Sequence, residues 1–375
     1  MLAIVKAKNS LPLKLSACWS IIVHHTYELN SGMNRVDIYL NLAERPNTRR
    51  CYAAAVRHFE VEWHGLLPAT PSSIASYLAE YATSLSINTL RAKLAGLSRW
   101  HMDHGFSDPT KSDVVNKVLK GIRAAHSTPE KQARPLELEQ LEQICDWFEQ
   151  ASHEPEHTNN HAFHLRQARD RAMLLVGFWR GFRADELTSL IVENITVEQG
   201  EGMTIYLPRS KGDREFTGRS FHCPALSRLC PVTAYENWIK LSGLSTGPVF
   251  RRIDRWGNIG NTGVMPGSVI PWLRGIFKIA GLEAPESYSS HSLRRGFSGW
   301  ARTSGWDIKE LMEYVGWKDV KSAMRYLDVT GDDLKARFEK GLKTTPTESR
   351  CCANSATSDV SNITMHAKPV LKIIK

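Results

Sequence analysis

Apolar residues at helical spacing recur through residues 36–126, and this pattern limits the first part of the chain to a bundle of amphipathic helices. Thr70 followed by Pro71 is a strong start signal, because threonine caps a helix and proline is tolerated in the first turn. A further helix is expected from about Ser112 to His126. These successive helical patterns predict an all-helical first domain.

Two other helix starts are predicted within the same stretch. One helix would open at Asn47 or Thr48 as its N-cap, and another would start at Asn88 and end at Gly105. The residues expected to share the buried face of the second of these helices are Leu90, Leu94, Leu97 and His101.

A segment with two prolines, residues 127–137, then separates this stretch from the rest and is predicted to be a linker. From Lys117 to Arg134 there are five basic residues, with Glu130 as the single acid. Such a run suits contact with an acidic partner, although an ordinary solvated surface would have the same composition.

The second domain is expected at residues 138–343, mainly helical with one β-hairpin. The segments MTIYLP and TGRSFHCP alternate in polarity on either side of RSKGDREF, which predicts a hairpin with Lys211 at its turn. Helices are expected from there to about Leu342. Residues 344–375 are poor in large apolar side chains and are predicted to be disordered. Residues 1–35 are expected to be an unstructured N-terminal extension. The alternative is a start codon assigned too early, with Met33 as the true start.

Composition excludes several classes of protein. A chain of 375 residues has room for two domains, and a net charge of +9 favours an acidic partner such as nucleic acid. Seven cysteines without a C-x-x-C pair argue against a disulfide framework or a zinc site, which favours a reducing cytoplasm. No apolar run is long enough for a membrane span. Four histidines have a spacing that would allow a metal site on a helix, but the segment EHTNN indicates a loop, so no metal site is predicted at His153, His157, His161 and His164.

The chemistry is concentrated between His291 and Tyr326, in a run that begins HSLRRGF and contains a Gly-Trp pair. A second signal, GFRADEL, places Arg183 three residues before Glu186. Arginines bind phosphate oxygens through a planar fork of donors, and a tyrosine hydroxyl can attack the phosphorus. Singly, these residues have ordinary interpretations, such as a surface arginine, a buried histidine or a core tryptophan. In combination they indicate cleavage of a phosphodiester without a metal.

Together these residues resemble the catalytic pattern of the tyrosine recombinase (phage integrase) family in its Cre-like form. Trp317 lies nine residues before Tyr326, which is the family spacing, and the likeness extends over residues 36–342 because the first half resembles the family's core-binding module. The family's set of Arg, Lys, His-x-x-Arg, His or Trp, and Tyr corresponds here to Arg183, Lys211, His291, Arg294, Trp317 and Tyr326.

The resemblance implies a role for each residue. The two arginines would hold the phosphate, Lys211 would protonate the leaving oxygen, and Tyr326 would be the nucleophile. His291 would share protons with the tyrosine or bind the phosphate, and Trp317 would donate its indole N–H. Glu186 is expected to orient a neighbouring residue. The chain departs from the commonest pattern at Arg295, where a second histidine is usual, so no proton transfer is assigned there. Two other tyrosines near the motif, Tyr288 and Tyr314, do not match the nucleophile's position.

The resemblance further implies a mainly α fold with a small hairpin, in which the core-binding domain and an α+β catalytic domain form a C-shaped clamp on DNA. The expected function is a site-specific recombinase or integrase acting through a 3′-phosphotyrosine and a Holliday junction, without cofactor or metal. Expected partners are double-stranded DNA at a specific site, further copies in a homotetramer on two sites, and accessory DNA-bending proteins at the bacterial nucleoid. A type IB topoisomerase and a DNA-binding regulator on a decayed recombinase fold stay open as alternatives.

Overall fold

The computed structural model describes residues 34–126, 132–157, 160–209, 217–324, 326 and 338–339. The chain divides into two compact units, with the boundary between Lys131 and Gln132. Nearly all of the predicted N-terminal extension and the whole of the predicted C-terminal tail lie outside the described residues. None of the described helices qualifies as a membrane-spanning segment.

The described part of the first unit is helical, as predicted. A single π-helical turn, His58–Glu62, continues the second helix. The helices bury a core that includes Phe59, Ile74, Tyr77 and Val115. In chain order the helices are α1 (Arg35–Ala43), α2 (Pro46–Arg57), α3 (Pro71–Glu80), α4 (Ile87–Asp103) and α5 (Asp113–Ala125).

The predicted cap of α3 and the predicted bounds of α5 are confirmed. Thr70 Oγ1 accepts a hydrogen bond from the Ser73 N–H at 3.2 Å, and Pro71 is the first residue of α3. Helix α5 is flanked by Ser112 and His126. The predicted buried face of α4 is also confirmed, because its four expected members are all buried, Leu90, Leu94, Leu97 and His101.

The other two predicted starts are wrong, because the observed N-caps lie two or three residues earlier. Helix α2 begins at Pro46 after Arg45, not after Asn47 or Thr48, because the fixed φ of proline suits the first position of a helix. Helix α4 begins at Ile87, since the Ser86 hydroxyl accepts from the Thr89 N–H at 3.2 Å and takes the capping role expected of Asn88.

The second unit is built around α7, in which every residue from 172 to 179 is buried. A helix that is apolar on all sides must be covered on all sides, and α7 leads directly into the segment that carries Arg183. The described helices of this unit are α6 (Leu138–His153), α7 (His161–Trp179), α8 (Ala184–Thr188), α9 (Pro231–Ser242), α10 (Val269–Ile279), α11 (Ser290–Thr303), α12 (Ile308–Val315) and α13 (Val320–Met324).

The predicted hairpin is present as part of a three-stranded antiparallel sheet in the order β1-β2-β3. Its strands are β1 (Ile195–Glu198), β2 (Gly202–Leu207) and β3 (Arg219–Pro224). Strand β1 was not predicted from the sequence. Leu207 pairs with Arg219 at the end of the described ladder. The expected turn residue Lys211 lies in 210–216, outside the described residues.

The expectation of helices throughout the remainder is wrong for residues 251–263. Two short strands, β4 (Arg251–Ile253) and β5 (Ile259–Gly263), pair antiparallel there. The turn between them is closed by the Asp254 carboxylate, which accepts from the N–H groups of Trp256 at 2.8 Å and Asn258 at 2.9 Å. An aspartate that bonds nearby backbone N–H groups stabilises a turn in preference to a helix.

Candidate active site

The carboxylate of Glu186 lies between the two predicted phosphate-binding arginines. Arg183 Nη1 donates to Oε1 at 2.7 Å, and Arg294 Nη2 donates to Oε2 at 2.8 Å. Burial by itself would raise the pKa of Glu186, but Arg294 and Arg183 outweigh that effect and hold the pKa below its ordinary value. An ionised carboxylate therefore orients both guanidinium groups.

Arg294 is fully buried, which is unusual for a charged side chain. Its Nε donates to the carbonyl oxygen of Gly181, a residue whose φ of 55° turns the chain between α7 and α8. Burial lowers the pKa of Arg294 to about 10, against the opposing effect of Glu186, so the group stays charged at neutral pH. Its Nη1 is buried and has no hydrogen-bond partner among the described residues.

The start of α11 positions both members of the His-x-x-Arg motif. The Ser289 hydroxyl accepts from the His291 N–H at 3.2 Å, and the Ser289 N–H donates to Ser292 Oγ at 2.9 Å, which closes the first turn. His291 is exposed on this turn, whereas Arg294 is in the core one turn later.

The predicted nucleophile lies beside the motif histidine. The Tyr326 hydroxyl oxygen is 3.0 Å from His291 Nδ1, a normal hydrogen-bond distance. Tyr326 is half-buried, and its backbone N–H donates to the Ala323 carbonyl at 2.9 Å, just after α13. The short helix therefore brings together two groups that are 35 residues apart in sequence.

Trp317 packs against the tyrosine ring. The two rings stack with centroids 5.2 Å apart and an interplanar angle of 22°. The Arg294 guanidinium carbon is 5.9 Å from the centroid of the Trp317 ring. Trp317 is 5% exposed, and its buried Nε1 has no hydrogen-bond partner among the described residues. Indole and guanidinium thus each leave one donor unsatisfied close to the tyrosine.

Five of the six predicted catalytic residues, with Glu186, belong to this cluster. The sixth, Lys211, lies outside the described residues. The tyrosines excluded from the sequence pattern have other roles. Tyr288 is buried against Phe277, with ring centroids 4.9 Å apart. Tyr314 lies under the guanidinium of Arg180.

The histidines near residue 157 do not form a metal site in the described part of the chain, where no group of three or more metal-ligating side chains is found. His157 instead stacks on Phe163, with ring centroids 3.7 Å apart.

Arg180 is a buried residue near the site, and it lies outside the sequence motifs. It directly follows α7 and is 1% exposed. The available signal was its place inside the apolar run FWRGF, where a charged side chain has no obvious route to solvent.

The arrangement is suited to acting on a phosphodiester. Arg294 and Trp317 each keep a buried donor without a partner among the described residues, and both lie near a tyrosine whose hydroxyl is within hydrogen-bond distance of a histidine.

Comparison with known proteins shows which family this chain belongs to. The family model described as "Phage integrase family" matches residues 136–332. The chain is 27% identical to an integrase/recombinase xerD homolog of Selenomonas ruminantium, over 88% of this chain and 95% of that protein. It is 26% identical to the recombinase cre of Escherichia phage P1, over 74% and 80% of the two chains.

A solved structure with the same fold is XerH site-specific recombinase bound to a palindromic difH substrate. The TM-score is 0.55 at 20% identity, over 79% of each chain. Because the family model matches more than half of the 375 residues, this chain belongs to the phage integrase family, the family of the site-specific tyrosine recombinases.

Proposed function

We propose that this recombinase cuts and rejoins duplex DNA at a specific site through a 3′-phosphotyrosine, with Tyr326 as the nucleophile. The observation that carries the proposal is the 3.0 Å distance between the Tyr326 hydroxyl and His291 Nδ1, beside two buried donors without partners among the described residues, Arg294 Nη1 and Trp317 Nε1. The non-bridging oxygens of a phosphodiester are the acceptors that such donors require.

In the cleavage step the Tyr326 oxygen bonds to phosphorus while the bond from phosphorus to the 5′ oxygen breaks. The phenol proton passes to His291 Nδ1, in the imidazole tautomer that carries its own proton on Nε2. Attack by a 5′ hydroxyl on the phosphotyrosine reverses the step and rejoins the strand. The phosphotyrosine conserves the bond energy, so rejoining needs no external energy source.

Arg183 and Arg294 stabilise the negative charge that grows on the non-bridging oxygens. Arg294 is held from two sides and directs its remaining donor, Nη1, to the phosphate. The side chain of Arg183 is 22% exposed, so part of its guanidinium stays accessible while Nη1 is bound to Glu186. Glu186 acts as a positioning residue that aligns both forks.

Trp317 donates its indole N–H to a phosphate oxygen and cannot serve as a base, since indole is a donor only. Lys211 is proposed as the general acid that protonates the departing 5′ oxygen, because an ammonium on a flexible stem can reach the leaving group. No catalytic role is assigned to Arg295.

Recombination further implies a homotetramer on two sites, with strands exchanged in pairs through a Holliday junction. Residues 36–126 are proposed as the core-binding domain and 138–343 as the catalytic domain, joined by a linker at 127–137. Support for a DNA substrate comes from the net charge of +9 and from the DNA-bound structure of XerH. Accessory DNA-bending proteins and association with the nucleoid belong to the same proposal.

Footprinting on the DNA that flanks its gene first locates the site that this protein binds. The test then uses a nicked suicide substrate that carries this site. Wild type should become covalently attached to the DNA, whereas Tyr326→Phe should bind equally well and form no covalent complex. Affinity should fall steeply with salt in both, because Arg and Lys contacts to phosphates dominate binding. Tyr288→Phe is the matched control and should react like wild type, since that hydroxyl has no hydrogen-bond partner among the described residues.

Each other outcome contradicts the proposal in a different way. Covalent product from Tyr326→Phe would identify a different nucleophile. Covalent attachment with relaxation of supercoils but without strand exchange between two sites would indicate a topoisomerase. Specific binding without covalent attachment by wild type would indicate a regulator.

A further inference from the structure

Arg180 is a cation buried in the catalytic unit without a carboxylate partner in the part of the chain that the structure describes. It is 1% exposed, and the hydrogen bonds and ring contacts that hold it involve backbone carbonyls and aromatic side chains. Burying a guanidinium that is not neutralised by an acid costs free energy, so a residue of this kind points to a role beyond stability. The contacts of Arg180 indicate that role.

The guanidinium joins two elements that are far apart in sequence. Nη1 donates to the carbonyl of His222 in β3 at 3.0 Å, and Nη2 donates to the carbonyl of Tyr314 in α12. The guanidinium carbon lies 3.8 Å from the centroid of the Tyr314 ring and 5.1 Å from that of Phe221. The rigid fork of arginine can bond two carbonyls at once while its faces contact aromatic rings, whereas lysine is a point charge.

The bond to Tyr314 fixes the last turn of the helix that precedes Trp317. Carbonyls at the end of a helix have no partner within the helix and favour cations. A second arginine reinforces the same turn, since Arg219 Nη2 donates to the Glu313 carbonyl at 2.8 Å. Gly316, at φ 82°, then reverses the chain.

Trp317 leaves the helix at this point. Its backbone N–H donates to the Met312 carbonyl at 2.9 Å, within the turn that the arginines hold. Its ring stacks on Tyr326, and its buried indole N–H has no hydrogen-bond partner among the described residues. Any displacement of the Tyr314 carbonyl would therefore shift the indole relative to the nucleophile.

We propose that Arg180 is a positioning residue for DNA cleavage, which holds the end of α12 so that Trp317 presents its indole N–H beside Tyr326. The inference rests on the proposed function. Because Arg180 is buried, it acts without touching the DNA, and its loss changes the rate of the chemical step and not the affinity for the site.

The experiment compares Arg180→Lys with wild type on the nicked suicide substrate. The single-turnover rate of covalent attachment should fall by about ten- to a hundredfold, because small misplacements of reacting groups have effects of that size. The dissociation constant for the site should change by less than about twofold, since no phosphate contact is removed. The final yield of covalent complex should match that of wild type, which shows that the whole population is folded and reacts slowly.

Arg169→Lys is the matched control. Arg169 lies on α7, is nearly buried, and also donates to a backbone carbonyl, that of Arg251 at 3.2 Å, but it does not bond to α12. This variant should cleave at the wild-type rate.

A double-mutant cycle with Trp317→Phe separates positioning from a general structural role. If Arg180 acts through the indole N–H, the Arg180→Lys defect should shrink to less than about threefold once that donor is gone. If the rate of the double variant is reduced by the product of the two single reductions, the inference is overturned and the proposed function stays intact. The same holds if Arg180→Lys cleaves at the wild-type rate. A wild-type protein that forms no covalent complex would overturn both.

Discussion

Glu186 pairs with both arginines of the candidate active site, since it neutralises the fully buried Arg294 and orients the partly exposed Arg183. Glu186→Gln should lower the free energy of unfolding at neutral pH by about 3 kcal/mol, because Arg294 is left without its counter-charge. The substitution should also slow cleavage. Urea unfolding followed by circular dichroism measures the first effect, with the exposed Glu201→Gln as a control that should behave like wild type.

The same residue predicts a pH dependence. The pKa of Glu186 is lowered in the folded state, so its stabilising effect is complete above the ordinary glutamate value and is lost as the pH falls through the folded value. The stability difference between wild type and Glu186→Gln should therefore shrink below a pH of about 4.5. A difference that stays constant from pH 7 to pH 3 would show that the carboxylate is not what the two arginines require.

Lys211 can be tested without structural information. If it protonates the departing 5′ oxygen, Lys211→Ala should cleave ordinary DNA poorly but should cleave a 5′-bridging phosphorothiolate almost as fast as wild type, because a thiolate with a reference pKa of about 8.5 leaves unaided. Arg183→Ala and Arg294→Ala should be slow on both substrates. Equal defects of Lys211→Ala on the two would remove it from the acid role.

The candidate catalytic residues could be proposed from the sequence because together they resemble a family pattern, in which Trp317 lies nine residues before Tyr326. Arg180 was missed for a physical reason. Arginine is normally exposed, and nothing local shows that β3 and α12, from distant parts of the chain, supply the two carbonyls that bind it.

At the scale of the element, α11 carries both His291 and Arg294 and packs closely at one point. A Cβ at Gly296 would lie 1.9 Å from the Leu136 carbonyl oxygen, whereas a Cβ at Gly299 would have no neighbour within 4 Å. Gly296→Ala should therefore lower the free energy of unfolding by about 1–3 kcal/mol and slow cleavage.

Gly299→Ala is the matched substitution on the same helix and should raise the free energy of unfolding by up to about 1 kcal/mol, because alanine favours helix more than glycine does. Thermal unfolding of the two variants measures both effects. Equal stability of the two alanine variants would contradict the packing argument.

Elements with strong local signals were predictable, and elements that depend on distant pairing were not. The cap at Thr70 and the alternation of β2 and β3 are readable in short windows of sequence. Strands β4 and β5 have three and five residues, too few for a periodic pattern, and their clearest local sign is the turn built on Asp254.

At the scale of the whole molecule, the two-unit pattern leaves residues 1–32 without an assigned place. We expect a protein that starts at Met33 to bind its DNA site with the affinity of the full chain, because the predicted phosphate contacts all lie after that residue. Titration of labelled DNA at fixed salt measures this. A loss of more than about tenfold in affinity would show that the first 32 residues contribute to binding.

The buried donors of Arg294 and Trp317, which have no partner among the described residues, also imply a trade-off between thermal stability and activity. A buried donor without an acceptor destabilises a protein, and in the proposed reaction a phosphate oxygen of the bound DNA would supply the acceptor. Selection for heat resistance alone would favour Trp317→Phe, which removes the donor and retains most of the ring. Binding of the DNA site should raise the melting temperature of the wild-type protein, and this rise should be smaller in Trp317→Phe.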